Sequence, residues 1–226
     1  MTGQAKNVQG RMARPRSAWI GALLLGACAS NPGPPARLGR AEGPPSMECL
    51  PSNTPSFSER MRFAWLLTEQ SFEEPAPAPP ASGTALQIQD WSDARLRPWL
   101  RRKSQLVSAA REELDAAAEE TQGQRTIAGA LVALMYEDVG RALLRVPMPD
   151  DLRNEPEIAE AFQDVIDAQA RPYLDVARRA YRACALNARG DDELSSWQSF
   201  CHGRRGGLPA EHVASGETVV EVIAPE

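Results

Sequence analysis

The stretch QRTIAGALVALMYEDVGRALLRV, residues 124–146, decides the fold because it is apolar around most of a helical circumference. Its apolar residues recur at heptad-like spacing, and three leucines widen the stripe: Ala128, Leu131, Val132, Leu134, Met135, Val139, Ala142, Leu143 and Val146. A helix with so wide an apolar stripe is stable only when other elements cover it. The stretch therefore predicts the most buried helix of the chain, ended by the proline-containing VPMPDD that follows.

Segments on the N-terminal side of this stretch also have helical periodicity. A helix is predicted from Pro98, whose missing N–H costs nothing in a first turn, to about Thr121. An earlier helix begins at Ser56, whose spacing to Glu59 fits a capping box, and ends before a Pro- and Ala-rich connector at 74–84. Residues 86–97 fit either a short strand or a half-turn.

Two further helices are predicted on the C-terminal side. Asn154, three residues before Glu157, caps a long helix, and Pro172 inside that helix predicts a kink or a short break. A last helix covers Asp191–His202. We therefore predict an all-α fold for residues 56–206, built as a small antiparallel helical bundle or as repeat-like helical hairpins.

Cys184 and Cys201 lie in the last two predicted helices, which a short turn around Gly190 joins. Residues roughly equidistant from the turn of an antiparallel hairpin face each other, so we expect these thiols to form a disulfide. A pairing that involves Cys49 is the alternative, because the three cysteines after Cys28 cannot all pair within the chain. Closing a loop of this size stabilises by about 3 kcal/mol.

A basic segment, an apolar run and small residues follow one another at the start of the chain. Residues 1–17 carry four cations and no acidic residue, and the apolar run that follows ends at Leu25. This is the order of a secretory signal, and the run is shorter than the roughly 20 apolar residues that span a bilayer. Residues 1–27 are therefore predicted to be a removable leader.

The motif Leu25-Gly26-Ala27-Cys28 resembles the lipobox of bacterial lipoproteins. In that family the cysteine thiol is diacylglycerylated, the leader is cleaved just before it, and the new amino group is acylated. The resemblance implies that Cys28 carries a lipid anchor, in which several acyl chains hold far better than one. Ala29 stands where the family's inner-membrane retention signal has aspartate, which implies the outer membrane.

The segments outside the helical region lack its periodicity. Residues 28–55 are rich in Pro, Gly, Ser and Asn and predict a flexible tether, while residues 207–226 predict a poorly ordered tail. The formal charge of the whole chain is −5, and removal of the leader's four cations would make it −9. Such a charge argues against nucleic acid as a partner.

The sequence contains no catalytic constellation and no metal-ligand spacing. Cys201 and His202 are adjacent, so their side chains would point about 100° apart on a helix, whereas a zinc site needs four converging ligands. The acidic residues of the helix that starts at Pro98 are expected on its solvated face. We therefore predict a protein that is not an enzyme and that needs no metal or cofactor.

A basic cluster lies at the start of a predicted helix whose other end is acidic: Arg95, Arg97, Arg101, Arg102 and Lys103. This arrangement opposes the helix macrodipole and does not stabilise the helix itself. A counter-anion, such as a lipid head group, a polysaccharide or an acidic protein surface, would explain the cluster. Screening by solvent is the alternative explanation.

Two C-terminal stretches, VPMPDDLRNEPEIAEAFQDVIDAQARPYLDVARRAYRACA at 146–185 and WQSFC at 197–201, carry a second resemblance. They resemble tetratricopeptide-repeat and related helical lipoproteins from the envelopes of myxobacteria-like organisms. Ala177, Tyr181 and Cys184 match the small, aromatic, small spacing of the repeat's second helix. At most one degenerate repeat is present, because nothing recurs at about 34 residues. The resemblance implies a non-enzymatic scaffold that contacts other envelope proteins.

Together these features predict an outer-membrane-anchored helical adaptor within an envelope protein assembly. Its exposed apolar anchors are expected among Trp65, Trp91 and Trp99. The alternative is a carrier for an apolar or anionic ligand, with the basic cluster at the mouth of a cavity lined by Met135, Phe162 and Tyr181.

Overall fold

The computed structural model describes residues 45–54 and 56–209, and all regular structure among them is helical, with no strand in those ranges. The prediction of an all-α fold is therefore confirmed. Two 3-10 turns, Met47–Cys49 and Asp192–Leu194, accompany the helices. The helices are α1 Glu59–Glu73, α2 Ala85–Trp91, α3 Arg97–Ala117, α4 Gln122–Leu144, α5 Pro156–Asn187 and α6 Ser195–Gly206.

The described residues fall into two compact units, whereas the sequence predicts one helical domain. Residues Glu74–Gln105 and Val139–Pro172 form the first unit. The second consists of residues 45–54, 56–73, 106–138 and 173–209. The helices α3, α4 and α5 each contribute residues to both units.

Helix α4 is the most buried helix, as its apolar sequence predicts. Six of its apolar residues have no exposed surface: Ile127, Ala130, Leu131, Ala133, Leu134 and Met135. Within the second unit, α4 approaches α5 closely at Gly129, where a Cβ atom would lie 3.4 Å from the Cβ of Cys184. A Cβ atom there would be in ordinary van der Waals contact, so little space remains for a larger side chain.

The ambiguous segment before Pro98 is helical, so neither the strand nor the half-turn prediction for 86–97 is right. Thr84 caps α2 through a capping box with Gln87, in which each side chain accepts from the other's backbone N–H. A π-helical segment, Ser92–Leu96, then joins α2 to α3. Its wider turn suits the approach to Pro98, which cannot donate a backbone hydrogen bond to the preceding turn.

Two other predicted helix starts are shifted. Ser58, rather than Ser56, caps α1, since its hydroxyl accepts from the backbone N–H of Met61 at 3.1 Å. Helix α5 begins at Pro156 instead of following a cap at Asn154, because proline is well suited to a first helical position.

Helix α5 runs without a break through Pro172, contrary to the predicted short break. A proline inside a helix costs about 3 kcal/mol. Buried residues such as Ala170 and Leu174 stabilise the turns on both sides of the proline and offset that cost.

The fold extends beyond the predicted domain at both ends. Asn53, assigned to the tether at 28–55, donates from its amide to the carbonyl of Glu193 at 2.9 Å, and its own carbonyl accepts from the Trp197 indole at 2.8 Å. Leu208, assigned to the tail at 207–226, is buried, and the next carbonyl, of Pro209, accepts from Arg178. The predictions for residues 1–44 and 210–226, which include the leader and the lipobox, lie outside the described residues.

No helix within residues 45–54 and 56–209 combines the length and the apolar character that crossing a membrane requires.

Candidate functional site

The outer face of α1 carries two large apolar side chains in solvent. Phe63 is 50% exposed and Leu66 is 54% exposed. Residues three apart lie on the same face of a helix, so the two side chains are neighbours. The opposite face of α1 is covered and consists of Met61, Ala64, Thr68 and Ser71, which are all completely buried.

An open groove of about 650 Å³ lies beside Phe63 in the second unit. Its lining comes from α1, from the residue before it, and from α3 with the turn after it: Ser58, Glu59, Arg60, Phe63, Glu113 and Glu120. Three carboxylates and one guanidinium thus surround an aromatic ring. Arg60 lies 3.8 Å from Glu113, and both side chains are partly exposed.

The three tryptophans predicted to be exposed anchors each donate a hydrogen bond within their own unit. Trp99 is only 2% exposed, and its indole donates to the carbonyl of Glu74 at 3.0 Å. Trp91 donates to the carbonyl of Ala78 at 3.1 Å, and Trp65 to the carboxylate of Glu69 at 2.8 Å. The prediction is wrong for Trp99, and the two largest apolar exposures of α1 belong to Phe63 and Leu66 instead.

The structure does not place the five residues of the predicted basic cluster on one open surface. Lys103 is completely buried, with its Nζ atom 6.0 Å from the ring centre of Trp99. The prediction that Lys103 contacts an anion or a partner is therefore wrong. Lys103 is buried because it lies four residues after Trp99, on the same covered face of α3.

The arginines of that cluster have different surroundings. Arg97 lies 2.9 Å from the carboxylate of Asp93, and Arg102 lies 2.5 Å from that of Glu74. Arg95 and Arg101 are exposed. Two arginines of the cluster, Arg97 and Arg102, are therefore balanced by carboxylates of the chain itself. These two cations need no external anion to explain them.

Cys184 and Cys201 form a disulfide, with the two sulfurs 2.00 Å apart. The disulfide expected from the α5–α6 hairpin is thus confirmed. The alternative, a disulfide that involves Cys49, does not form. Both sulfurs belong to completely buried residues. Cys49 is exposed, and its sulfur lies 3.4 Å from the Ser46 hydroxyl.

A buried ionic cluster lies near this disulfide in the second unit. Glu137 and Tyr181 have no exposed surface, and Arg204 is 6% exposed. The Tyr181 hydroxyl donates to Oε2 of Glu137 at 2.7 Å, and Nε of Arg204 donates to the same oxygen at 3.2 Å. Nη2 of Arg204 lies 2.8 Å from the other carboxylate oxygen. The cluster joins α4, α5 and α6.

Burial and charge shift the pKa values of two members of this cluster. Burial raises the pKa of Tyr181 well above its ordinary value, and the neighbouring negative charge of Glu137 adds to the shift. Burial by itself would lower the pKa of Arg204, but the charges and hydrogen bonds of Glu137 and Tyr181 together outweigh it, and the net pKa is raised. The hydroxyl thus stays protonated and the guanidinium charged, so the cluster acts as a structural contact between helices.

No three His, Cys, Asp or Glu side chains within 45–54 and 56–209 come together in a way that would hold a metal ion. Met135 and Tyr181, two of the three residues predicted to line a ligand cavity, are completely buried, and Phe162 is 6% exposed. The Tyr181 hydroxyl is engaged by Glu137. The carrier hypothesis stays a prediction.

Comparison of the chain with models of protein families, with curated proteins and with solved structures finds no match. The resemblances to bacterial lipoproteins and to helical repeat proteins therefore stay predictions that rest on the quoted motifs.

Sequence reasoning missed two features that spacing would have revealed. Phe63 lies two residues after Met61, about 200° around the helix, and is therefore unsuited to the same covered face. Glu137 occurs in the middle of the most apolar helix, where a charged residue needs a buried partner. The identity of that partner, Arg204, was not available from spacing because 67 residues separate the two.

Proposed function

We propose that this protein is a lipid-anchored, non-enzymatic helical adaptor of the bacterial cell envelope, held in the outer membrane through Cys28. The motif around Cys28 supports the anchor, and the all-helical fold suits a role in protein contacts. The observation that carries the proposal is the exposed apolar pair Phe63 and Leu66 beside an open groove. Contiguous apolar surface is a feature of sites at which proteins associate, and this pair supplies its centre on α1.

The apolar pair also lies close in sequence to the predicted tether. Helix α1 begins at Glu59, four residues after the end of the predicted tether at residue 55. A face on the first helix after a membrane tether is well suited to reach neighbouring envelope proteins. The tether would let the helical units search the space near the membrane without leaving it.

Site-specific photo-crosslinking in intact cells tests the contact. A photoreactive amino acid replaces Leu66 in one strain and Leu186 in another. Leu186 is the matched control, because it is an equally large residue of the second unit and is 49% exposed. We expect a discrete crosslinked product with an envelope protein from position 66 and none from position 186. Equal products from both positions, or none from position 66, would contradict the proposed contact.

Fractionation of the Cys28→Ser variant tests the anchor separately. Loss of the thiol prevents acylation, so we expect the variant in the soluble fraction and the unaltered protein in the membrane fraction. Metabolic labelling with a radioactive fatty acid should mark only the unaltered protein. A variant that still sediments with membranes would show that another part of the chain holds it there.

A further inference from the structure

We propose that the face formed by Phe63 and Leu66, together with the acidic groove beside it, binds a basic amphipathic segment of another protein. This inference rests on the proposed adaptor function and adds the chemistry of the partner. The segment would place an apolar side chain against Phe63 and Leu66, and lysine or arginine side chains over the carboxylates of the groove.

The first argument is the negative charge around Phe63, the member of the pair that lines the groove. Glu59, Glu113 and Glu120 line the groove against a single cation, Arg60. The separation of 3.8 Å between Arg60 and Glu113, with both side chains partly exposed, makes their attraction weak. Within the described ranges, 45–54 and 56–209, no cation forms an ion pair with Glu59 or Glu120. The rim therefore has carboxylate charge available for an incoming cation.

The second argument is the end of α3. This helix ends at Ala117, and its last turn has no basic residue. The carbonyl end of a helix carries partial negative charge, and Glu119 and Glu120 follow it directly. Arg125 donates to the carbonyl of Ala118 at 3.0 Å and compensates part of this charge, but one cation does not balance both carboxylates. An apolar centre with a negative rim is complementary to an apolar anchor with a positive rim.

The same charges disfavour two other occupants of this face. The chain's own tail, residues 210–226, contains four glutamates and neither lysine nor arginine, so the groove would repel it. Anionic lipid head groups would be repelled for the same reason. A basic protein segment satisfies both the apolar pair and the carboxylates.

The test uses the full chain and two synthetic, fluorescently labelled peptides. One peptide has leucines on one helical face and lysines on the other, and the second has glutamates in place of the lysines. Fluorescence anisotropy measures binding at low and moderate salt. We expect only the lysine peptide to bind, with an affinity that falls as salt rises, because the contact is partly electrostatic.

Matched variants connect binding to the proposed face. Phe63→Ser and Leu66→Ser should each lower the affinity for the lysine peptide by about tenfold or more, because each removes a central apolar anchor. The control Leu186→Ser, at an exposed leucine elsewhere in the second unit, should leave affinity within about twofold. Far-ultraviolet circular dichroism of each variant shows whether it folds.

A second pair of variants tests the charges. The double variant Glu59→Gln/Glu120→Gln should lower the affinity for the lysine peptide by about fivefold or more. Its affinity should also change less with salt concentration. Glu157→Gln/Glu160→Gln makes the same change in net charge on the exposed side of α5 and should have little effect. An equal loss of affinity in both double variants would mean that binding depends only on the net charge of the protein, and would overturn the proposal.

Two further outcomes would also overturn it. Peptide affinity that rises in Arg37→Glu/Arg40→Glu would assign the face to the chain's own N-terminal segment. Self-association that Phe63→Ser abolishes, measured by sedimentation velocity, would assign it to a second copy. Crosslinking from position 66 without binding of the lysine peptide would retain the adaptor function and reject a basic partner, so the two proposals fail in different ways.

Discussion

Replacement of Arg204 by methionine tests whether the buried carboxylate of Glu137 depends on its guanidinium. The two groups meet through contacts of 2.8 and 3.2 Å, and Glu137 has no exposed surface. Methionine retains much of the side-chain volume but removes the charge and the donors. The variant therefore keeps a carboxylate in the core without the cation that compensates its lost hydration.

The degree of burial sets the expected magnitude. Breaking a buried pair by removing one partner costs about 3–5 kcal/mol, because the remaining charge has lost both water and its partner. An exposed pair contributes no more than about 1 kcal/mol. The free energy of unfolding of a typical domain is about 5–15 kcal/mol, so we expect Arg204→Met to remove a large part of it.

Urea unfolding followed by circular dichroism measures the loss, with two comparisons. Arg60→Met removes the exposed partner of Glu113 and should cost less than about 1 kcal/mol. The triple variant Glu137→Leu/Arg204→Met/Tyr181→Phe removes all three polar groups and should recover most of the lost stability. A cost for Arg204→Met no larger than that of Arg60→Met, or a triple variant no more stable than the single one, would refute the reasoning.

Three further predictions concern the second unit. Cys184→Ala/Cys201→Ala should lower the free energy of unfolding by about 3 kcal/mol, because it opens a covalent loop, and dithiothreitol should shift the urea midpoint of the unaltered chain but not of this variant. Stability should hold below pH about 10 and fall as pH rises towards the higher folded pKa of Tyr181, because the unfolded tyrosine ionises first. Free energies of unfolding measured from pH 8 to 11 should decline less steeply in Tyr181→Phe, and identical slopes would contradict this cause. Gly129→Leu should lower the melting temperature markedly, since its Cβ would already touch Cys184 and a larger side chain has no room, whereas Gly203→Leu, with open space around it, should change it little.

The periodic helices could be predicted because each repeats its apolar residues over several turns. Helix α4 shows this best, since nearly every apolar residue of its stripe is buried. Helix α2 has only seven residues and too few turns for a period to emerge. Its capping box, Thr84 with Gln87, is the local signal that would have favoured a helix over the strand and half-turn interpretations.

The candidate surface was harder to predict, because exposure depends on which face of a helix its neighbours cover. On α1 the covered face includes the polar residues Thr68 and Ser71, whereas the large apolar residue Phe63 lies on the exposed face. Lys103 shows the converse error, since its charge suggested solvent while its register on α3 required burial. The Cys184–Cys201 pair could be predicted because a short hairpin restricts which residues can meet.

The hydrogen bonds of Asn53 have a mechanical consequence for a chain fastened at Cys28. If Cys28 carries the proposed anchor, tension would pass through the Met47–Cys49 turn to Asn53, whose hydrogen bonds reach Glu193 and Trp197 at the start of α6. From there the load would pass through a hairpin that the Cys184–Cys201 bond closes covalently. The hydrogen bonds of Asn53 would have to break before the load reached α1, the next helix along the chain, so they would protect the surface on α1 from mechanical strain.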